Sequence, residues 1–458
     1  MADTIPNAAT LTQLEDQLDS FDASVRARAL AELANRVRSG DVELPPERRA
    51  VNLHYHTFFS YNANGWSPSR IAWEARKHGL AAAGIVDFDV LDGMEEFLSA
   101  GEALGLRSTA AVESRVFINE YSDRVINSPN EPGVAYFMAA GCFRQPDANS
   151  RAAEILQSMR QTARRRNVQV MERVNEHLGL AALDYEADVL PLTPSGNATE
   201  RHLLAAYDAK AREVLPNTAD LAEFWADKLG VSTAESATLL NDTPKLHETI
   251  RSKLMKFGGV GYVPPTPETF PSVETMIEMT LGLEALPTAT WLDGTNPGES
   301  DMPSMLDLLA RKGVAAMNII PDRNWNIKDP AEKQVKLENL RKAVEAARET
   351  GFPLSVGTEM NKAGLPFVDD FSAPELAPYV DDFIDGAHFF WGHTLLARAL
   401  GIGFASDWAN TRFGADRIAR NRFYTRVGRS ADPVRGRAKL EGLNVSAMTP
   451  EDVLAALQ

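Results

Sequence analysis

Apolar and polar positions follow two rhythms along the chain, and the change of rhythm divides it. From 8 to 39, leucines and alanines recur at helical spacing among charges (Leu11, Leu14, Leu18, then Ala27, Leu30, Leu33), which predicts helix. Positions 41–49, with Pro45-Pro46, read as a linker. From Val51 the rhythm becomes strand, loop, helix, strand. An apolar run reaching Thr57 predicts a strand, and Ser67-Pro68 opens a helix as N-cap and first-turn proline. The small apolar run 81–86 suits a buried parallel strand, and Asp92 and Glu95 have capping-box spacing for the next helix. Positions 109–112 predict a third strand that 115–119 continues or flanks, and 134–141 a fourth. Then 150–178 reads as one long helix and 180–264 as helices without strands. Strands resume at 286–291, 314–319 and 353–357, with helices at 303–312 and 331–350, and the tail from 382 is mostly helix.

The strand ends carry the candidate chemistry. Side chains alternate along a strand, so His54 and His56 share one face while Leu53 and Tyr55 take the other. Two imidazoles at a strand end make half of a transition-metal site, although an isolated His-x-His is more often simply packed or solvated. The next two strands end in Asp87-Phe88-Asp89 and in Glu113. Sites of parallel α/β folds lie at the carboxyl ends of strands, and three polar ends in a row predict one here. Further along, Gly196-Asn197-Ala198-Thr199 opens a helix with Arg201 and His202 in its first turn. Such a loop is either a natural anion site or a plain N-cap with a surface Arg and His. The run Arg160, Arg164, Arg165, Arg166 reads as a solvated helix face, and His388 and His393 in an aromatic stretch read as packed.

Composition narrows the function. The chain has 458 residues, 44% of them hydrophobic and 8% aromatic, enough for one large α/β domain with insertions or for two domains. A formal net charge of −16 argues against nucleic acid or an anionic membrane as partner, without forbidding a phosphate substrate. The single cysteine, Cys142, suits a reducing compartment. Residues 1–20 lack the apolar core of a signal peptide, and no apolar window is long enough to span a bilayer. A cytoplasmic protein is expected.

Four stretches together carry a resemblance. They are Asn52-Leu53-His54-Tyr55-His56-Thr57 with Phe58-Phe59-Ser60, the helix from Ser67-Pro68 to Lys77-His78-Gly79-Leu80, Val86-Asp87-Phe88-Asp89, and Ala111-Val112-Glu113. They resemble the polymerase-and-histidinol-phosphatase (PHP) family of metal-dependent phosphoesterases. The resemblance is best over 51–118, thinner over 199–207, 313–323 and 353–361, and absent from both termini. It implies an α/β fold, a distorted seven-stranded β/α (TIM-like) barrel with a helical insertion and helical extensions at both ends. The divisions would be 1–50 for an N-terminal extension, 51–150 and 281–385 for the two parts of the barrel, 151–280 for the insertion, and 386–458 for a C-terminal extension.

The departures are informative. Phe88 stands where the family has a histidine, as do Tyr136 and Ile320, and Thr358-Glu359-Met360-Asn361 replaces a Ser-Asp-x-His. What remains implies His54, His56, Glu113 and Glu359 as ligands to one or two divalent ions, Zn, Mn or Fe. It implies Asp87 and Asp89 as catalytic carboxylates that orient water or a ligating histidine. Arg201, His202, Asn318, Asn361 and Arg323 would contact a small phosphorylated substrate. The reading is a metal-dependent phosphoester hydrolase. Its rival is a catalytically degenerate barrel that binds a small molecule or a protein.

Overall fold

The computed structural model describes residues 9–266 and 269–458. Strand β1 (Arg48–Tyr55) pairs in parallel with β2 (Leu80–Phe88), and β2 with β3 (Arg107–Phe117). Every residue of β2 up to Asp87 is buried, as expected of a small-residue strand covered on both faces. Then β4 (Val134–Ala140) runs antiparallel to β3 and to β5 (Leu286–Trp291), and β6 (Ala316–Ile319) and β7 (Leu354–Val356) restore parallel pairing. Because β4 pairs along the whole outer half of β3, from Ala111–Ala140 to Phe117–Val134, β3 runs on past Glu113 without a break.

The seven strands curl into a nearly closed barrel with helices around it. Just beyond β7, the Glu359 N–H donates to the His54 carbonyl at 2.8 Å, and the His56 N–H donates to the Glu359 carbonyl at 2.9 Å. These bonds draw the last strand against the first. Gly357 allows it, since a Cβ there would stand 2.3 Å from Asn52 Oδ1 and 2.5 Å from the His54 Cβ.

The single N-terminal helix expected over 8–39 is two helices, α1 (Leu11–Gln17) and α2 (Ala23–Ser39), and Ala8 lies outside the described residues. The chain turns between them because Leu18 is fully buried and Asp22 caps α2 by accepting from the Ser24 N–H. Helix α3 (Pro68–Lys77) starts on the Ser67 cap. Helix α4 (Met94–Leu104) does not use the capping box expected of Asp92: Gly93 takes the N-cap position, and the Asp92 carboxylate instead accepts from Ser195 and pairs with Arg160.

Helix α5 (Arg151–Leu178) joins two cores. Its first half (Ala152, Ile155, Met159) packs on the barrel and its second half (Val170, Val174, Leu178) belongs to a separate helical core. That core gathers α6 (Glu200–Val214), α7 (Thr218–Leu229), α8 (Thr233–Leu239) and α9 (Thr243–Ile250) around Leu204, Tyr207 and Trp225. Helix α10 (Val273–Gly282) brings the chain back to the barrel, and α11 (Met302–Lys312), the short α12 (Asp322–Trp325) and α13 (Pro330–Thr350) complete the outer layer.

Helix α14 (Val380–Leu400) crosses the end of the barrel opposite the parallel strands' carboxyl termini. It lies so close to the start of β7 that a Cβ on Gly386 would stand 1.8 Å from the Leu354 carbonyl oxygen. Its Thr394 hydroxyl is 3.3 Å from that of Thr109 at the start of β3. The expected division between 385 and 386 therefore falls inside the helix that floors the barrel. Among the described residues no helix is long and apolar enough to cross a membrane.

Candidate metal centre

The alternation of β1 places His54 and His56 on the inner face, at the end of the barrel away from α14. Both are wholly buried, and Glu113 on β3 reaches across from two strands away at 2% exposure. The Glu113 Oε2 lies 3.7 Å from His54 Nε2 and 3.6 Å from His56 Nε2. These three atoms have no hydrogen-bond partner among the described residues. Leaving a buried acceptor unpaired costs about 1–3 kcal/mol, so three converging on one point call for a ligand. Two ligand atoms each about 2.1 Å from a tetrahedral ion stand about 3.4 Å apart, close to what is found. Two imidazole nitrogens and one carboxylate oxygen within 4.8 Å of one another fit a single divalent ion.

Neighbouring groups fix how the imidazoles present themselves. His54 Nδ1 lies 3.3 Å from Asn318 Oδ1 on β6, and an amide oxygen can only accept, so Nδ1 carries the proton. His56 Nδ1 lies 3.1 Å from the Ser60 hydroxyl, which itself donates to Asp87 Oδ1 at 2.6 Å. The Ser60 proton being committed to Asp87, its oxygen accepts from His56. Both Nε2 lone pairs are thereby aimed at Glu113. Burial, with His54 alongside, pushes His56 down to about 3. Burial alone would depress His54 too, but Glu113 beside it holds the imidazole above its ordinary value, while burial raises the Glu113 carboxyl.

Several predicted residues take other positions. Glu359 lies outside the three-atom group: its carboxylate accepts from Arg323 Nη2 at 2.8 Å, and despite burial that guanidinium holds it at about 2. Its backbone sits in the left-handed region, at φ 66°, where the chain turns after closing the barrel. Asn318, expected to contact substrate, is fully buried outside the cavity lining, and its Oδ1 orients His54 from behind. His202 is also absent from the cavity wall: its Nδ1 accepts from the Thr199 N–H at 3.0 Å, closing the cap of α6. Asn197, in the loop read as either an anion site or a plain N-cap, donates to the Phe59 and Phe88 carbonyls and ties the insertion to the barrel. Asp87 accepts from the Thr57 N–H, the Thr57 hydroxyl and Ser60, and acts on His56 only through Ser60. Burial pushes it up to about 6.

The remaining predicted residues border a cavity of about 500 Å³ between the barrel mouth and the insertion. Glu113 lies in its wall with Asp89, Arg201, Arg323 and Asn361. Asp89 accepts from Ser114 at 2.6 Å, and burial brings its carboxyl to about 6. Phe88, where the resemblance led to a histidine, stacks on His56 with ring centroids 4.4 Å apart.

The sequence reading gave no role at this site to three residues. Ser60 is the acceptor behind His56, Arg115 shares the Glu113 face two residues on, and Tyr136 faces Arg115 across the β3–β4 ladder. The period-two pattern beyond Glu113 would have found Arg115.

Solved structures offer partial likenesses. An amidohydrolase from Chromobacterium violaceum, with sulfate bound and no metal, is 16% identical at a TM-score of 0.47, over 72% of this chain and 96% of that one. A protein from Bifidobacterium adolescentis assigned as a metal-dependent phosphoesterase is 17% identical at a TM-score of 0.45, over 73% of this chain and 97% of that one. No family model matches the sequence, and no curated protein does.

Proposed function

We propose that this chain is a metal-dependent phosphoesterase of the PHP type, active in the cytoplasm, that holds one divalent ion (Zn, Mn or Fe) and hydrolyses a small phosphorylated molecule. The observation that carries the reading is the convergence of His54 Nε2, His56 Nε2 and Glu113 Oε2, buried and unpartnered, with Glu113 in the wall of a cavity large enough for such a molecule. An ion of this class, when bound, supplies Lewis acidity and activates water near neutral pH.

The chain's own groups do the rest. Asn318 and Ser60 hold the two imidazoles in one tautomer and one orientation. Asp89 faces the cavity with a carboxyl near 6, suited to holding and returning a proton close to neutral pH. Arg323, its charge fixed beside Glu359, and Asn361 offer donors to the oxygens of a phosphoryl group. Insertion and barrel together form the walls of the cavity.

The test is the metal content of the purified protein beside a His54→Ala/His56→Ala variant, with turnover of a phosphomonoester panel in added Mn²⁺. Expected are one equivalent of metal and phosphate release in the parent, and neither in the variant. A folded parent that takes up no metal would sink the proposal and leave the binding-module reading.

A further inference from the structure

From Arg115, two residues beyond Glu113 on β3, the cavity wall carries cations that the hydrolase reading does not use. Arg115 on β3 and Arg166 on α5 share one carboxylate, Glu131, at 2.9 and 3.5 Å. Both guanidinium groups lie over the Phe270 ring, 4.3 and 5.2 Å from its centre. Arg251 and Lys256, at the end of α9 and just beyond it, share Glu200. Glu248 also reaches Arg251, but it brings Arg201 with it. Arg115, Arg166, Arg201, Arg251 and Lys256 thus pair with three carboxylates, Glu131, Glu200 and Glu248, in a protein whose formal net charge is −16.

Two further facts point to a ligand. Arg166 is 11% exposed, and its Nη1 has no partner among the described residues, although a buried guanidinium nitrogen is costly to leave unpaired. Arg251 opens a single π-helical turn, Arg251–Met255, a local distortion that recurs at functional sites. Arg166 was expected on a solvated face with Arg160, Arg164 and Arg165. It alone of the four turns into the cavity beside Phe270, whereas Arg160 and Arg164 pair with Asp92 and Glu186.

We propose that Arg115, Arg166, Arg251 and Lys256 form an anion subsite, so that the substrate carries a second anionic group, phosphate or carboxylate, besides the ester that is cleaved. Which group is cleaved rests on the hydrolase reading; the binding of an anion at this wall does not. Glu131 and Glu200 are each divided between two cations, which leaves the wall attractive to a further anion. The flat Phe270 face and the apolar side of α5 (Ile155, Met159) leave room for an uncharged body as well.

The test is a calorimetric titration of chelator-treated protein with inorganic phosphate, in the parent and in Arg166→Met, Lys256→Met and His54→Ala variants. The parent should bind one phosphate. Arg166→Met and Lys256→Met should each weaken it about ten-fold, and His54→Ala should leave it unchanged. Lys256 is partly exposed and its loss leaves Glu200 paired with Arg251, so that variant reports even if Arg166→Met does not fold. No binding in the parent up to about 10 mM, or a loss that follows His54 and not the cations, overturns the subsite. The two readings fail separately: metal uptake and ester cleavage with a blank phosphate titration removes the subsite alone, and phosphate binding without metal uptake removes the hydrolase alone.

Discussion

The two ends of the barrel each bury histidine, and they do so in opposite ways. At the floor, His393 on α14 donates from Nε2 to the Gly141 carbonyl at 3.0 Å and accepts at Nδ1 from the Phe404 N–H at 2.9 Å. Every polar atom of the ring is used, and burial takes it down to about 4, neutral at any ordinary pH. At the mouth, His54 and His56 are no less buried, yet each satisfies only Nδ1 and leaves Nε2 pointing at an equally unpartnered Glu113 oxygen. The difference teaches that burial of a titratable group says little about its work. An unpaired atom aimed at other unpaired atoms says much more.

The sharpest way to test that contrast is at the floor. His393→Ala removes a donor and an acceptor together, stranding the Gly141 carbonyl and the Phe404 N–H in a site that water does not reach, and it opens a cavity beside α14. The expected cost is about 3 kcal/mol or more in unfolding free energy, with bound metal per chain unchanged. Denaturant unfolding and metal analysis of the same preparation check both halves. Loss of metal with His393 would mean the two ends are coupled, and the contrast would fail.

Much of the mouth was legible in sequence because it rests on two-residue periodicity. His54, His56 and Glu113 converge because strand side chains alternate, which shows in a linear chain, and because the parallel β2–β3 pairing ends at Phe88–Glu113 although β3 itself runs on. The barrel's supports were less legible. Asn318 lies 264 residues from the histidine it orients, and an asparagine at a strand end looks the same whether it faces a substrate or a ring nitrogen. Glu359 reads as a ligand until its partner Arg323, 36 residues away, is placed beside it. Helix α14 was taken for part of an appended tail because a helix apolar on all sides has no amphipathic stripe to show where it packs. His202 has the type and position of a substrate contact, but nothing in sequence says that its ring folds back to cap its own helix.

At the mouth a smaller change should act on the metal and leave the fold. Ser60→Ala takes away the acceptor for His56 Nδ1 and one of three donors to Asp87, while the imidazole itself remains. Freed to rotate and to exchange tautomers, His56 should bind its ion about 10–100-fold more weakly. Thermal stability without metal should change far less than in His393→Ala. Competition with a chromophoric chelator reads the affinity, and unchanged affinity would show that Ser60 does not position the ring.

The smallest expected effect extends the comparison from histidines to carboxylates. Glu299 is as buried as Glu113, but its two oxygens accept from the backbone N–H groups of Leu292 (2.8 Å), Asp293 (3.2 Å) and Gly294 (3.1 Å), so it belongs with His393 among the satisfied groups. Burial outweighs those donors and raises its carboxyl to about 7. A folded-state value above the ordinary 4.5 means that the folded chain binds a proton which the unfolded chain has released between about pH 4.5 and 7. The contribution of this group to stability is therefore greatest in acid and shrinks as pH rises through 7. Glu299→Gln cannot titrate, so the parent's melting temperature should fall relative to the variant's between pH 5 and 8, by about 2 °C. Metal uptake should be identical in the two proteins, because the loop that Glu299 pins between β5 and α11 supplies no ligand. A parallel pair of melting curves would leave Glu299 ionised throughout, and burial would then count for less than its three backbone donors.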